Sequence, residues 1–148
     1  RAIIWYILKE KKTNKMIYNQ SKKKAQKVIE DMKKLFPKSN IIFCAELQEV
    51  LLDSSILINC SSLGMKGQQK LEINLEAMNR NSIVYDIVYS PLITELLFNA
   101  KNLNYNAIDG LGMLLNQAVP AFEMWHGKKV TANDALRAEA LKHLKSIK

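Results

Sequence analysis

Short apolar runs alternate along the chain with longer stretches in which apolar residues recur every three or four positions. The runs, which end at polar residues or turns, predict strands at Met16–Asn19, Ile41–Cys44, Ser55–Asn59, Ser82–Tyr85 and Tyr105–Ile108. The periodic stretches predict helices over Arg1–Lys12, from Ser21 to Leu35, over Glu46–Leu52, from Pro91 through Ala100, from Asp109 to His126, and over Asn133–Ile147. Ser21 can cap the second of these helices, whose predicted apolar stripe consists of Ala25, Val28, Ile29, Met32, Leu35 and Phe36. The predicted apolar stripe of the helix after Asp109 consists of Leu111, Leu114, Leu115, Ala118 and Phe122. Strands that alternate with helices predict the α/β class and a doubly wound, Rossmann-like parallel sheet.

The beginning of the chain departs from this pattern, because neither a capping residue nor a turn precedes the first helix. In a dinucleotide-binding unit, a strand and a Gly-rich turn come before the first crossover helix. We therefore expect a fragment that begins inside that helix and lacks the first strand and the Gly-rich loop. The absent strand would lie between those predicted at Met16–Asn19 and Ser55–Asn59.

The stretch from Ser82 to Gly127 places small or polar residues where strands end, which is where open α/β sheets bind ligands. Asp86 is predicted to follow the strand Ser82–Tyr85, and Asp109 is predicted to cap the helix that follows the next strand. Gly110 and Gly112 allow a ligand to approach the backbone closely. Gln117 lies on the same helix and is a candidate polar contact.

The net charge of +8 suits anionic partners, including a phosphorylated cofactor, a carboxylate substrate or a nucleic acid. Lys22, Lys23 and Lys24 crowd the first turn of a predicted helix, where the dipole disfavours cations unless a phosphate is bound. A solvated lysine run explains the same charges equally well. Two distant cysteines indicate a reducing cytoplasm, and the longest apolar run, Ala2–Leu8, is far too short to span a membrane.

Four motifs carry a family resemblance that extends over nearly the whole chain. They are YDIVYSPLITELL from Tyr85, DGLGMLLNQAVPAFEMWHG from Asp109, NCSSLGM from Asn59, and NQS from Asn19. Their order resembles the C-terminal part of the shikimate dehydrogenase family, which reduces 3-dehydroshikimate to shikimate with NADP. The resemblance implies that residues 1–148 form a partial NADP-binding domain with C-terminal helices. The family's catalytic Lys/Asp pair belongs to an N-terminal substrate domain upstream, so this chain alone is expected to be inactive.

The resemblance also implies the cofactor contacts. The adenosine 2′-phosphate would lie near Asn19, Gln20, Ser21, Lys22 and Lys24, and the nicotinamide near Ser61, Ser62, Ile87, Gly110 and Met113. Gln20 stands where the family usually has an arginine, so a guanidinium contact to the phosphate is lost. No Asp or Glu ends this strand to hold the ribose hydroxyls of NAD, which still favours NADP. Taken alone, the two serines are more often turn residues.

For the substrate, the resemblance implies hydrogen bonds from Tyr89 and Gln117 to shikimate, and quinate stays open as a second substrate. Without the motif order, Tyr89 would be read as a half-buried loop aromatic and Gln117 as a solvent-facing helix residue. We expect no metal site, because His126 and His143 have no second ligand at suitable spacing. A membrane or nucleic-acid partner is not expected, and a homodimer is left open.

Two other functions compete with this interpretation. A basic α/β module could bind nucleic acid through Lys22–Lys24, Lys33 and Lys34, although the sequence lacks interleaved aromatics and a helix-turn-helix signature. A non-catalytic nucleotide-binding scaffold would bind NADP without turnover.

Overall fold

The computed structural model describes residues 1–10 and 15–146. The helices of this part are α1 (Ala2–Glu10), α2 (Lys22–Leu35), α3 (Leu47–Leu51), α4 (Glu95–Asn102), α5 (Leu111–His126) and α6 (Asp134–Ser146). The strands are β1 (Lys15–Tyr18), β2 (Ile41–Cys44), β3 (Ile56–Asn59), β4 (Ile83–Asp86) and β5 (Asn106–Ile108). Lys11, Lys12 and Ile147, which the sequence patterns placed in helices, lie outside the described residues.

All the strand pairs in the described part are parallel, which confirms the predicted α/β class. The strands form a two-stranded sheet, β1–β2, and a three-stranded sheet in the order β3–β4–β5. The strands expected to flank the absent one, β1 and β3, accordingly belong to different sheets. The chain divides into two compact units, Arg1–Leu52 and Asp53–Lys148.

In the first unit, α1 and α2 pack their apolar residues against the sheet β1–β2. The buried cluster consists of Leu8, Ile29, Met32 and Ile41. Ser21 caps α2 as predicted, because its side chain accepts a hydrogen bond from the Lys24 N–H. Leu35 was expected on the buried stripe of α2, but it is exposed at the last residue of the helix.

In the second unit, β4 is the central strand and α4 packs against it and against β5. Val84 of β4 and Leu97 and Ala100 of α4 are completely buried. Leu111 at the start of α5 is also completely buried, whereas Ala118 and Phe122 of its predicted apolar stripe are exposed. The buried side of α5 is therefore confined to its first half.

The start of α4 differs from the prediction that Pro91 opens this helix. Residues 90–93 form a bend, and the helix begins at Glu95. Thr94 sets this boundary, because its hydroxyl accepts a hydrogen bond from the Leu97 N–H at the N-cap. Asp86 also differs from the prediction, since it is the last residue of β4 rather than the residue that follows the strand.

The α5 helix runs through Pro120 and ends at Gly127, whose backbone is left-handed with φ of 64°. The Gly127 N–H donates to the Glu123 carbonyl, as expected of a glycine C-cap. Within the described residues, none of the helices has the length and apolar character that a membrane crossing requires.

Replacing Leu97 by Ala should lower the free energy of unfolding of the second unit by ~2–5 kcal/mol, because the side chain is completely buried. The neighbouring Phe98 is 57% exposed on the same helix, so Phe98→Ala should cost about 1 kcal/mol or less. Urea unfolding followed by circular dichroism measures both. Equal losses for the two variants would contradict this description of α4.

Candidate functional site

The carboxyl ends of β3 and β4 meet in a buried polar contact. Asn59 and Asp86 are the last residues of these strands and lie opposite each other in the parallel register. The Asn59 side-chain amide donates to Asp86 Oδ1 at 3.0 Å, and both residues are buried. The contact therefore fixes the point at which the two strands give way to loops.

The Asp86 side chain is completely buried, and further donors satisfy it. Its Oδ1 also accepts from the Val88 N–H at 3.0 Å, and its Oδ2 accepts from the Thr94 hydroxyl at 2.7 Å. These three hydrogen bonds, from Asn59, Val88 and Thr94, offset the cost of removing the Asp86 carboxyl group from water. We refer to Asn59, Asp86 and Thr94 as the strand-end network.

Asn59 also organises the loop that follows β3. Its Oδ1 accepts from the backbone N–H and the hydroxyl of Ser61, at 3.0 and 2.7 Å, and its amide donates to the Leu63 carbonyl at 3.1 Å. The Ser61 hydroxyl is thus engaged in the turn itself, which agrees with the alternative interpretation as a turn residue. Ser62 is exposed in the same loop.

The loop after β4 lies against the start of α5. A Cβ added to Gly110 would lie 2.1 Å from the Ile87 carbonyl oxygen and 2.7 Å from that of Val88, so only glycine fits there. The Gly110 N–H donates to the Val88 carbonyl at 3.3 Å. The structure thereby brings together Ile87 and Gly110, two of the residues that the resemblance implies for the nicotinamide, and Met113 is partly buried in the first turn of α5.

Asp109 supports this helix start in two ways. Its Oδ1 accepts from the Leu111 N–H at 3.0 Å, although the N-cap position itself is Gly110. Its Oδ2 accepts from Arg137 of α6 at 2.5 Å, and both side chains of this ion pair are partly buried. Sequence reasoning missed Arg137, because no local pattern connects it to Asp109, 28 positions earlier.

Tyr89 and Gln117, the two residues implied for the substrate, have different surroundings. Tyr89 is 38% exposed and lines a cleft of about 500 Å³. The other residues that line this cleft are Gly64, Lys66, Ser90, Pro91, Leu92, Leu141 and Leu144. Gln117 is exposed on α5 and is not part of this lining. This cleft is therefore lined by Tyr89 and not by Gln117.

In the first unit, the residues implied for a phosphate surround the start of α2. Asn19 Oδ1 accepts from the Ser21 N–H at 2.8 Å, and Ser21 in turn caps the helix. Gln20, Lys22 and Lys24 are exposed, and no acidic residue lies in the first turn. A helix N-terminus with exposed amides and cations is chemically suited to an anion. Lys22 Nζ lies 5.9 Å from the Phe43 ring centre, so this ammonium also contacts β2.

In the part of the chain that the structure describes, no cluster of three or more His, Cys, Asp or Glu side chains is arranged to hold a metal ion.

Comparison with known proteins gives consistent matches. Residues 110–132 match the family model described as the shikimate 5′-dehydrogenase C-terminal domain. The shikimate dehydrogenase (NADP(+)) of Paramagnetospirillum magneticum is 46% identical over 101 residues, which cover 68% of this chain and 37% of that protein. The enzyme of the same name from Nitrosopumilus maritimus is 38% identical over 138 residues, which cover 93% and 50%.

The structural comparison agrees with these matches. The crystal structure of shikimate dehydrogenase from Aquifex aeolicus superposes with a TM-score of 0.64 and 30% identity, covering 80% of this chain and 41% of that one. The chain spans half or less of the length of each of these three proteins.

Replacing Gly110 by Ala should destabilise the second unit by ~1–3 kcal/mol, because the new methyl group would overlap the backbone carbonyls of Ile87 and Val88. Gly112 is the matched control, since an added Cβ there meets nothing within 4 Å. Gly112→Ala should leave stability unchanged or raise it by about 0.5–1 kcal/mol, because alanine favours the helix. Chemical denaturation measures both variants, and tolerance of Gly110→Ala would refute the close approach.

Replacing Arg137 by Gln should lower the free energy of unfolding by roughly 1 kcal/mol, because Asp109 loses a partly buried ionic partner. Lys142→Gln on the same helix removes a fully solvated pair with Glu139 and should have almost no effect. Thermal unfolding of the two variants distinguishes these outcomes. A loss for Lys142→Gln as large as for Arg137→Gln would show that the Asp109 contact has no special weight.

Proposed function

We propose that this chain, which belongs to the shikimate dehydrogenase family, binds NADP and supplies the cofactor side of an enzyme that interconverts 3-dehydroshikimate and shikimate. The observation that carries the proposal is sequence identity of 38% over 138 residues to a curated NADP(+)-dependent shikimate dehydrogenase. The proposal assigns residues 1–148 to a partial NADP-binding domain. Because the chain spans about half of that relative, the activity is proposed for a protein that also contains a substrate domain.

The adenosine 2′-phosphate of NADP is assigned to the first unit. The exposed Lys24 ammonium and the capped start of α2 supply positive charge and donors, and the absence of acidic residues from the first turn removes repulsion. Gln20 can donate a neutral hydrogen bond but not the forked, charged contact of an arginine. We therefore expect the discrimination of NADP from NAD to depend mainly on Ser21 and Lys24.

The nicotinamide is assigned to the strand ends of the second unit. Ile87 and Gly110 are assigned to it through their backbone atoms, and Ser61, Ser62 and Met113 are assigned to the same site. An added Cβ at Gly112 would meet nothing within 4 Å, so there is open space beside this residue of α5. NADP supplies the hydride acceptor for shikimate oxidation, and these residues orient its reactive face.

Tyr89 and Gln117 are assigned to the substrate, where a phenol and an amide can hydrogen-bond hydroxyl or carboxylate groups. Proton transfer is assigned to the family's Lys/Asp pair, which is outside these 148 residues, so the chain alone positions the cofactor without turning substrate over. We further propose a cytoplasmic location and a role in aromatic amino-acid biosynthesis.

Titration of the 148-residue chain with NADPH and with NADH, followed by nucleotide fluorescence, tests the cofactor assignment. NADPH should bind more tightly than NADH. Lys24→Gln should lower the affinity for NADPH by about tenfold, the usual effect of losing one charged hydrogen bond, and should leave the affinity for NADH unchanged. Lys33→Gln, which removes the same charge from the last turn of α2, is the matched control and should change neither.

The same titration separates the competing functions. Equal effects of Lys24→Gln and Lys33→Gln, together with steep salt-dependent binding of arbitrary oligonucleotides, would favour a basic nucleic-acid module. Shikimate-dependent reduction of NADP⁺ by the longer protein that contains this chain distinguishes an enzyme from a scaffold. The same assay is repeated with quinate as the second substrate. NADP binding without turnover of shikimate or quinate would favour the scaffold.

A further inference from the structure

We infer that Asp86, acting with Asn59 and Thr94, is a positioning residue that holds two loops in the geometry that binds the nicotinamide half of NADP. The loops are residues 60–66, after β3, and residues 87–93, between β4 and α4. The inference rests on the proposed function and adds to it a set of residues that do not themselves contact the cofactor.

The strand-end network is buried and bridges three elements. Asp86 is 0% exposed, Thr94 is 1% exposed and Asn59 is 5% exposed, so a ligand cannot reach their side chains. They belong to the end of β4, the N-cap of α4 and the end of β3. A role in function must therefore act through the loops that they join.

Each loop is hydrogen-bonded to side chains of the strand-end network. Asn59 binds the first loop at Ser61 and Leu63. Asp86 binds the second loop at its beginning, through the Val88 N–H, and at its end, through Thr94. One carboxyl group thus clamps both ends of the segment that contains Ile87 and Tyr89.

The two loops are also tied to each other. The Lys66 N–H donates to the Ser90 carbonyl at 2.9 Å, and the Ile87 N–H donates to the Asn59 carbonyl at 3.2 Å. Hydrogen bonds are directional, so this set specifies loop positions in a way that apolar packing of the same volume does not. Loss of one member should displace the loops while the hydrophobic core of the unit stays packed.

The division of the chain into two units provides a specific test. The residues assigned to the adenosine 2′-phosphate lie in the first unit, and the network lies in the second. Loosening the network should therefore weaken the binding of NADPH, whose nicotinamide half is assigned to the second unit. It should not weaken the binding of 2′,5′-ADP, which has the adenosine and 2′-phosphate without a nicotinamide. A general loss of folding would weaken both ligands.

The experiment compares Thr94→Val, which removes the hydroxyl bonded to Asp86, with Thr94→Ser, which keeps it. Thr94→Val should lower the affinity for NADPH by about tenfold, and the affinity for 2′,5′-ADP should change by no more than about twofold. Thr94→Ser should restore NADPH affinity to near the unsubstituted value. Calorimetric titration of the 148-residue chain measures all three proteins with both ligands.

Ser82→Ala is the control for simple destabilisation. Ser82 is buried immediately before β4, at the opposite end of that strand from Asp86, and its hydroxyl donates to the Ser54 carbonyl at 2.8 Å. This variant should lower the unfolding temperature without changing the affinity for NADPH. An effect on NADPH equal to that of Thr94→Val would overturn the inference.

Asp86→Asn is the second variant, since it retains an oxygen for Asn59 and Val88 and removes the acceptor for Thr94. Hydrogen exchange should become faster than in the unsubstituted chain at the backbone N–H groups of residues 61–66, 87–90, 92 and 93, and exchange within β4 should stay slow. Unchanged exchange in both loops would refute the inference even without a ligand. Failure of the unsubstituted chain to bind NADPH would instead refute the proposed function.

Discussion

A carboxyl group buried without a cationic partner among the described residues is the constraint on which the second unit depends. Asp86 is fully removed from solvent, and its hydrogen bonds come from a strand end, a turn and a helix cap. Burying a carboxyl group without its hydrogen-bond donors costs on the order of several kcal/mol of folding free energy, so every donor must be in place. The ends of β3 and β4 and the start of α4 must therefore adopt one arrangement together.

A second constraint acts beside the first, at the start of α5. The Ile87 and Val88 carbonyls lie so near Gly110 that a side chain there would overlap them. The loop after β4 and the start of α5 are therefore in direct contact. The ion pair between Asp109 and Arg137 attaches α6 to the same place. The candidate site is thus a group of loops held by a rigid sheet, which is how α/β proteins commonly combine loop chemistry with precise positions.

The candidate site of the first unit differs from that of the second, because it is exposed and positively charged. Ser21 satisfies one N–H group at the start of α2, while the neighbouring lysines extend into solvent. Charge attracts an anion from a distance, whereas the buried hydrogen bonds of the second unit fix backbone positions.

The sequence alone determined the succession of strands and helices, the Ser21 cap and the glycine at Gly110, because these depend on local periodicity, capping chemistry and backbone sterics. It also gave the family resemblance, since the motifs are contiguous. Tertiary structure decided the start of α4, where Thr94 is fixed by a side chain eight positions earlier, and the pairing of Arg137 with Asp109. It likewise decided that Leu35, Ala118 and Phe122 are exposed, because a helical stripe shows which side chains align but not where a neighbour ends.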